Sequence, residues 1–358
     1  MTVTPGPATL AGVSRDGGKV LYLAGGQIVS FDAGTLTSTV VATGGGAAVV
    51  NVSADGSHVY FISTLQLDGG KGTAGASNLY LWSGGAPRFV ATLAAADVAG
   101  PVNLLRWASD AVAPSPSGTQ GPANDPSRTT PDGSVFIFQS HAPLTGYDSE
   151  GRSEVFRYDA ASGELICVSC SPIDAPPASN AQLQSDIGAD LTAPVNAQSH
   201  IANLSDDGGK AFFQTADALV PRDVNGSVDV YEWSAGSGAS LISSGRGERA
   251  SYLYGATPDG HDVFFLTREQ LLPADHNDGV GSIYDARVGG GFPGGPVAPP
   301  CQEDECQGPA AAAPTLTVPA STAAGSSEGL KRRRRHHRAR HRRKPAAKHR
   351  HHVHGGHR

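Results

Sequence analysis

The side chains with the clearest chemical potential are acidic and amide residues set at alternate positions before a glycine. They are Asp148-Ser-Glu150-Gly followed by Glu154, Asp223-Val-Asn225-Gly followed by Asp229, and Asp275-His-Asn277-Asp278-Gly. Hard oxygen donors at this spacing around a glycine turn are what a Ca2+ loop requires. The same letters also build Asx turns, because Asp, Asn and Gly bond their own backbone and accept left-handed conformations. No one segment supplies the six or more oxygens of a complete calcium site. Calcium at these loops would therefore need further ligands, and no other cofactor is expected.

Four cysteines form two local pairs, Cys167 with Cys170 and Cys301 with Cys306. Two disulfides suit an exported protein, and a four-thiolate zinc site would need both pairs to meet over a long range. A thioredoxin-like role ranks below the zinc site, because no strand-helix-strand pattern surrounds Cys167. The string Gly325-Ser-Ser327-Glu-Gly329 carries the letters of a nucleophile elbow, yet it lies in a Pro/Ala/Ser-rich stretch without the strand and helix that would expose the hydroxyl. Gly245-Arg-Gly247-Glu-Arg-Ala250 matches a dinucleotide fingerprint by letters alone, in an all-β context. His58, His141, His200, His261 and His276 are scattered without metal-ligand spacing. No catalytic constellation emerges, so the chain is read as non-enzymatic.

Charge divides the chain. Residues 331–358 hold 13 of the 27 Lys/Arg, 8 of the 13 His and no acidic group, which leaves 14 basic against 33 acidic residues in 1–330, a formal −19. Residues 296–330 contain Cys301 and Cys306 and then run in Ala, Pro, Ser and Thr, so they read as a linker, and 331–358 as a disordered Arg/His-rich tail. Such a tail attaches to an anionic polymer or membrane surface. It would bind nucleic acid only by counterion release, and it has no aromatic side chain to stack on bases.

The elements that must position these residues repeat. SRDGGKVLYLA (14–24), SADGSHVYFIS (53–63), TPDGSVFIFQS (130–140), SDDGGKAFFQT (205–215) and TPDGHDVFFLT (257–267) are each an Asp-Gly turn feeding an alternating strand. A second strand phrase follows each: QIVSFDA, NLYLWSG, SEVFRYDA, DVYEWSA and SIYDARV. Third strands are expected at 38–43, 88–93, 164–170 and 239–244, and fourth strands at 49–53 and 200–205. Gly and Pro make up about a fifth of the 358 residues, which argues against long helices and for an all-β chain. The aromatics that recur in register, Tyr60, Phe136, Phe213 and Tyr231 among them, are expected to pack one unit on the next.

Short antiparallel strands in five similar units describe a β-propeller of about five four-stranded blades over residues 1–295. The S-x-D-G turn, apolar strand and D/N-x-Y phrase resemble the TolB-like and WD-repeat-like propeller repeats of bacterial envelope proteins. Two arrangements stay open: five blades close by themselves, or the chain is the C-terminal part of a larger propeller. The resemblance implies a binding or scaffold protein of the cell envelope that recognises a protein or glycan, at an extracytoplasmic or cell-surface location, although no export signal is visible in the first 30 residues. The alternatives are a metal-dependent enzyme in the propeller funnel and nucleic-acid binding through the tail.

Overall fold

The computed structural model describes residues 6–98, 126–183, 201–276 and 279–290. Within them lie five antiparallel sheets in chain order. The first is β1 (Thr9–Val13), β2 (Lys19–Ala24), β3 (Gln27–Asp32) and β4 (Thr37–Thr43), and the second is β5 (Ala48–Val52), β6 (Val59–Ser63), β7 (Asn78–Trp82) and β8 (Arg88–Thr92). A single helical turn, α1 (Ala95–Val98), precedes the third sheet of β9 (Ser127–Thr129), β10 (Val135–Ser140), β11 (Glu154–Asp159) and β12 (Leu165–Cys167). The fourth sheet is β13 (Lys210–Thr215), β14 (Asp229–Ser234) and β15 (Gly238–Leu241), and the fifth is β16 (Tyr252–Ala256), β17 (Asp262–Thr267) and β18 (Ser282–Arg287). The order within each sheet follows the chain, which is the meander of a propeller blade.

The fourth and fifth sheets have three strands where four were expected. In the fourth, the described part of the segment expected as a strand at 200–205 pairs with β13 through the bridge between Leu204 and Ala211 and the backbone bonds from the Phe212 N–H to the Asn203 carbonyl and from the Ser205 N–H to the Lys210 carbonyl. The Asn203 amide replaces part of the ladder, donating to the carbonyls of Leu183 and Phe212. After the fifth sheet the chain from residue 291 lies outside the described residues, as do the linker and the basic tail.

The repeated turn is built the same way five times. In the first sheet Ser14 Oγ donates to Asp16 Oδ1 at 2.6 Å, the Gly18 N–H donates to the same oxygen, and Ser14 Oγ accepts the Lys19 N–H. Ser53–Asp55, Thr130–Asp132, Ser205–Asp207 and Thr257–Asp259 repeat that contact at 2.6 Å. The Ser53 hydroxyl, then backbone and side-chain donors of Ser57, hold the Asp55 carboxyl down to about 2. The glycine that follows each aspartate has φ between +64° and +75°, a region that excludes most side chains.

These turns also join the blades. The Arg15 N–H donates to the Ala54 carbonyl, Ala54 to Pro131, and Asp206 to Pro258, each at 2.6 Å. Pro131 has no N–H to pass the chain of bonds from the third sheet to the fourth. There Arg157 Nε donates to the Gly208 carbonyl instead, and its guanidinium lies 5.7 Å over the Trp233 ring.

The core lies between successive sheets. Tyr60 of β6 stacks on Phe136 of β10 with ring centroids 4.2 Å apart, and Val135 and Ile137 of β10 pack with Phe213 and Tyr231 of the fourth sheet. Each such aromatic contributes roughly 1.5–3 kcal/mol by burial. Strands β6 and β7 are buried along their whole length, being covered on both faces, whereas no residue of β18 is fully buried. Of the exposed large apolar side chains, those that sit on strands lie in the first sheet (Leu10, Val13 and Val40) and the fifth (Tyr254 and Ile283). A Cβ at Gly56, Gly133, Gly208 or Gly260 would strike the preceding sheet, while one at Gly17 would meet nothing within 4 Å among the described residues.

Candidate functional site

The three acidic loops connect β10 to β11, β13 to β14 and β17 to β18, and the structure treats them differently. In the third, Asp148 and Glu150 are exposed, Asp148 Oδ1 accepts the Glu150 N–H at 3.0 Å, and Glu150 takes φ +50°. With Gly146, Tyr147, Asp174 and Pro176 they line an open recess of about 340 Å3. The Tyr147 hydroxyl donates to the Ala175 carbonyl and ties the two loops together. This recess carries three carboxylates and no cation among its lining residues.

Glu154, at the start of β11, turns inward and is only 2% exposed. One carboxylate oxygen accepts the Ser169 hydroxyl, and Ser169 Oγ also accepts the Val155 N–H. Burial pushes the Glu154 carboxyl up to about 7 against the Ser169 hydrogen bond, with Asp217 adding in the same upward direction. Cys167 and Cys170 lie beside it and are joined in a disulfide, so their sulfurs are spent as ligands. Cys301 and Cys306 lie outside the described residues.

In the fourth loop Asp223 and Asp229 are both buried, 4% and 1% exposed. Asp223 Oδ2 accepts the Tyr231 hydroxyl, and Asp229 Oδ1 accepts the Ser243 hydroxyl. Burial raises the Asp223 carboxyl above the ordinary range; the Tyr231 hydrogen bond opposes this and the Asp229 charge adds to it. Asn225 Oδ1 caps the turn by accepting the Ser227 N–H at 2.9 Å. In the fifth loop Asp275 bonds the Tyr284 hydroxyl, while Asn277 lies outside the described residues. Shared letters thus give an exposed recess in one unit and a buried carboxylate pair in another.

Two features escape a reading by spacing. The tyrosine at the third residue of β7, β14 and β18 is a clamp: Tyr80, Tyr231 and Tyr284 accept the N–H groups of Leu67, Leu219 and Leu271 at 3.1, 3.2 and 3.1 Å and so pin the incoming loop. Their recurrence was the signal, and the third unit, with Phe156 there, lacks the hydroxyl. The second feature is Asp97 of α1, which accepts the Ser140 hydroxyl, the His141 N–H and, at 2.6 Å, the His141 ring. The pair ties α1 to the end of β10.

No family model and no curated protein matches this chain. Solved structures similar to it include TolB from Acinetobacter baumannii (19% identity, TM-score 0.31, 74% of this chain) and the oligogalacturonate lyase of Vibrio parahaemolyticus (13%, 0.37, 80% of this chain and 65% of that one). The β-propeller domain of the Trilobed protease from Pyrococcus furiosus is similar at 14% identity and a TM-score of 0.30, over 76% of this chain and 69% of that domain. The chain spans about half the length of the A. baumannii TolB, 49%. The likeness is one of fold alone: the five antiparallel meander sheets of the described residues make an all-β, β-propeller-like chain. Among the described residues no helix is long and apolar enough to cross a membrane.

Proposed function

We propose that this TolB-like β-propeller is a non-enzymatic binding or scaffold module of the cell envelope. Its loop face recognises a protein or glycan, and its basic tail at 331–358 attaches it to an anionic surface. One observation supports the reading: the polar side chains of the S/T-x-D-G turns are consumed by hydrogen bonds within the turns, whereas Asp148, Glu150 and Asp174 line an open recess. Asp148, Glu150 and Asp174 give that recess an acidic character suited to a basic or hydroxyl-rich ligand. Hydroxyl-rich and cationic groups pair with carboxylates through charge-assisted hydrogen bonds. The Cys167–Cys170 disulfide supports an oxidising, extracytoplasmic location.

The tail and the recess separate experimentally. The full chain and a chain ending at residue 330 are compared for binding to phosphatidylglycerol vesicles, isolated cell-wall glycan and duplex DNA at low and high salt. The tail should confer vesicle or wall binding that falls steeply with salt, because it acts by neutralising surface charge. The −19 body should leave the shortened chain without affinity for DNA. Equal affinity of both chains for the anionic surfaces would remove the tail from the proposal.

A further inference from the structure

The loop Arg222–Asp229 reads Arg-Asp-Val-Asn-Gly-Ser-Val-Asp, with side-chain oxygens at 223, 225, 227 and 229. Each of its buried carboxylates spends one oxygen on a fixed donor, Asp223 Oδ2 on Tyr231 and Asp229 Oδ1 on Ser243. The other two, Asp223 Oδ1 and Asp229 Oδ2, are buried and have no hydrogen-bond partner among the described residues. The two groups are drawn to the same stretch of chain after β15. The Val224 N–H donates to the Gly245 carbonyl at 2.9 Å, and a Cβ at Gly245 would come within 2.8 Å of Asp223 Cα, while Ser243 just before it holds Asp229. The neighbouring guanidinium of Arg222 donates to the Leu241 carbonyl.

Two buried carboxylates with an unused oxygen each carry a large desolvation cost unless a cation or a proton joins them. We propose that Asp223 and Asp229 hold a hard divalent cation, Ca2+, in this loop of the fourth blade. The donors are all oxygen, which selects against the softer metals that take thiolate or imidazole. Only two carboxylates are present, so water and loop oxygens complete the shell and the affinity falls in the range of extracellular modules, about 10^-4 to 10^-3 M. The arrangement is particular to this blade. In the third, Asp148 faces solvent; in the second and fifth, the positions of Asp229 are taken by Asn78 and Ser282.

The test uses the full chain, stripped with chelator. Tb3+ is added and its emission followed through excitation of Tyr231, whose hydroxyl bonds Asp223; thermal unfolding is then measured with Ca2+. The expected results are saturable Tb3+ emission displaced by Ca2+ and a Tm raised by about 5 °C at 10 mM Ca2+, reversed by chelator. Asp229→Asn keeps the shape and the acceptor for Ser243. It should lower the Tb3+ affinity at least about tenfold, abolish the calcium shift and raise the Tm in chelator, since one of two buried like charges is gone. Asp223→Asn provides the same test should the first variant fold poorly. The proposal is overturned by a wild-type chain indifferent to Ca2+, or by a calcium shift that both variants retain. A Tm that falls between pH 5 and 8 in the wild type but not in Asp223→Asn, with no response to Ca2+, would show that a proton, not a cation, joins the pair, and would also overturn it.

Discussion

Glu154 makes the stability of the third blade depend on pH in a direction opposite to the repeated aspartates. Its folded carboxyl is pushed up to about 7 by burial, from an ordinary value of 4.5. The folded state therefore holds the proton more tightly than the unfolded chain. The stabilisation is fully present below about pH 4.5 and is lost as pH rises through about 7. A shift of about 2.5 units at 1.36 kcal/mol per unit corresponds to about 3 kcal/mol across that window. The aspartates of the S/T-x-D-G turns have lowered values, as for Asp55 at about 2, so their contribution fades only below about pH 4. Glu154→Gln removes the titration and keeps an acceptor for Ser169. Urea unfolding of both proteins between pH 4.5 and 8, read by fluorescence of Trp82 and Trp233, should show the wild type losing about 3 kcal/mol more than the variant over that range. Asp223, also raised, titrates in both proteins and cancels in the comparison. The amide of the new Gln shifts the absolute stability but not the difference in slope. Parallel pH profiles for the two proteins would refute the reasoning.

Further outcomes follow from the same geometry. Gly208→Ala should cost at least about 2 kcal/mol, because its Cβ would lie 2.4 Å from Val135 Cγ2. Gly17→Ala, with a similar φ and open space around it, should cost only the backbone strain of about 1 kcal/mol; equal losses by denaturation would contradict the blade packing. Tyr231→Phe leaves the Leu219 N–H without its acceptor and should lower unfolding stability by about 1–3 kcal/mol, whereas an unchanged midpoint would remove the clamp. Cys167 and Cys170 should resist alkylation until reductant is added, and Cys170→Ser should cost about 2 kcal/mol, as expected for a very short closed loop.

The S/T-x-D-G turns and the strands that follow them were legible because their information is local: a hydroxyl, a carboxylate two residues on and a glycine at positive φ close a unit without help from elsewhere. The strands β2, β6, β10, β13 and β17 accordingly fall inside the five repeated phrases. Inner strands were harder. β9 is only Ser127–Thr129, polar in composition, and is held by pairing with β10 and by Arg128 Nε donating to the Ile201 carbonyl, 73 residues away. The fourth unit's inner strand is reduced to a bridge flanked by two backbone bonds, with the Asn203 amide reaching the carbonyls of Leu183 and Phe212 beside it. At the candidate site, spacing placed Asp148 and Asp223 in register, but burial is decided by what covers a loop. Asp223 is roofed by Gly245 and bonded by Tyr231, and Asp148 sits on an outward turn beside Tyr147. Asp97 and His141 were out of reach of spacing, being 44 residues apart.

The most direct test of the recognition reading is binding of the chain ending at residue 330 to isolated cell-wall glycan and to basic peptides, beside a variant carrying Asp148→Asn, Glu150→Gln and Asp174→Asn. All three positions are exposed, so the fold should survive the exchange. Saturable binding by the shortened chain that the triple variant loses by about tenfold or more is the result the account predicts. No binding by the shortened chain at a salt concentration that screens the tail, or binding that the triple variant keeps in full, would contradict it.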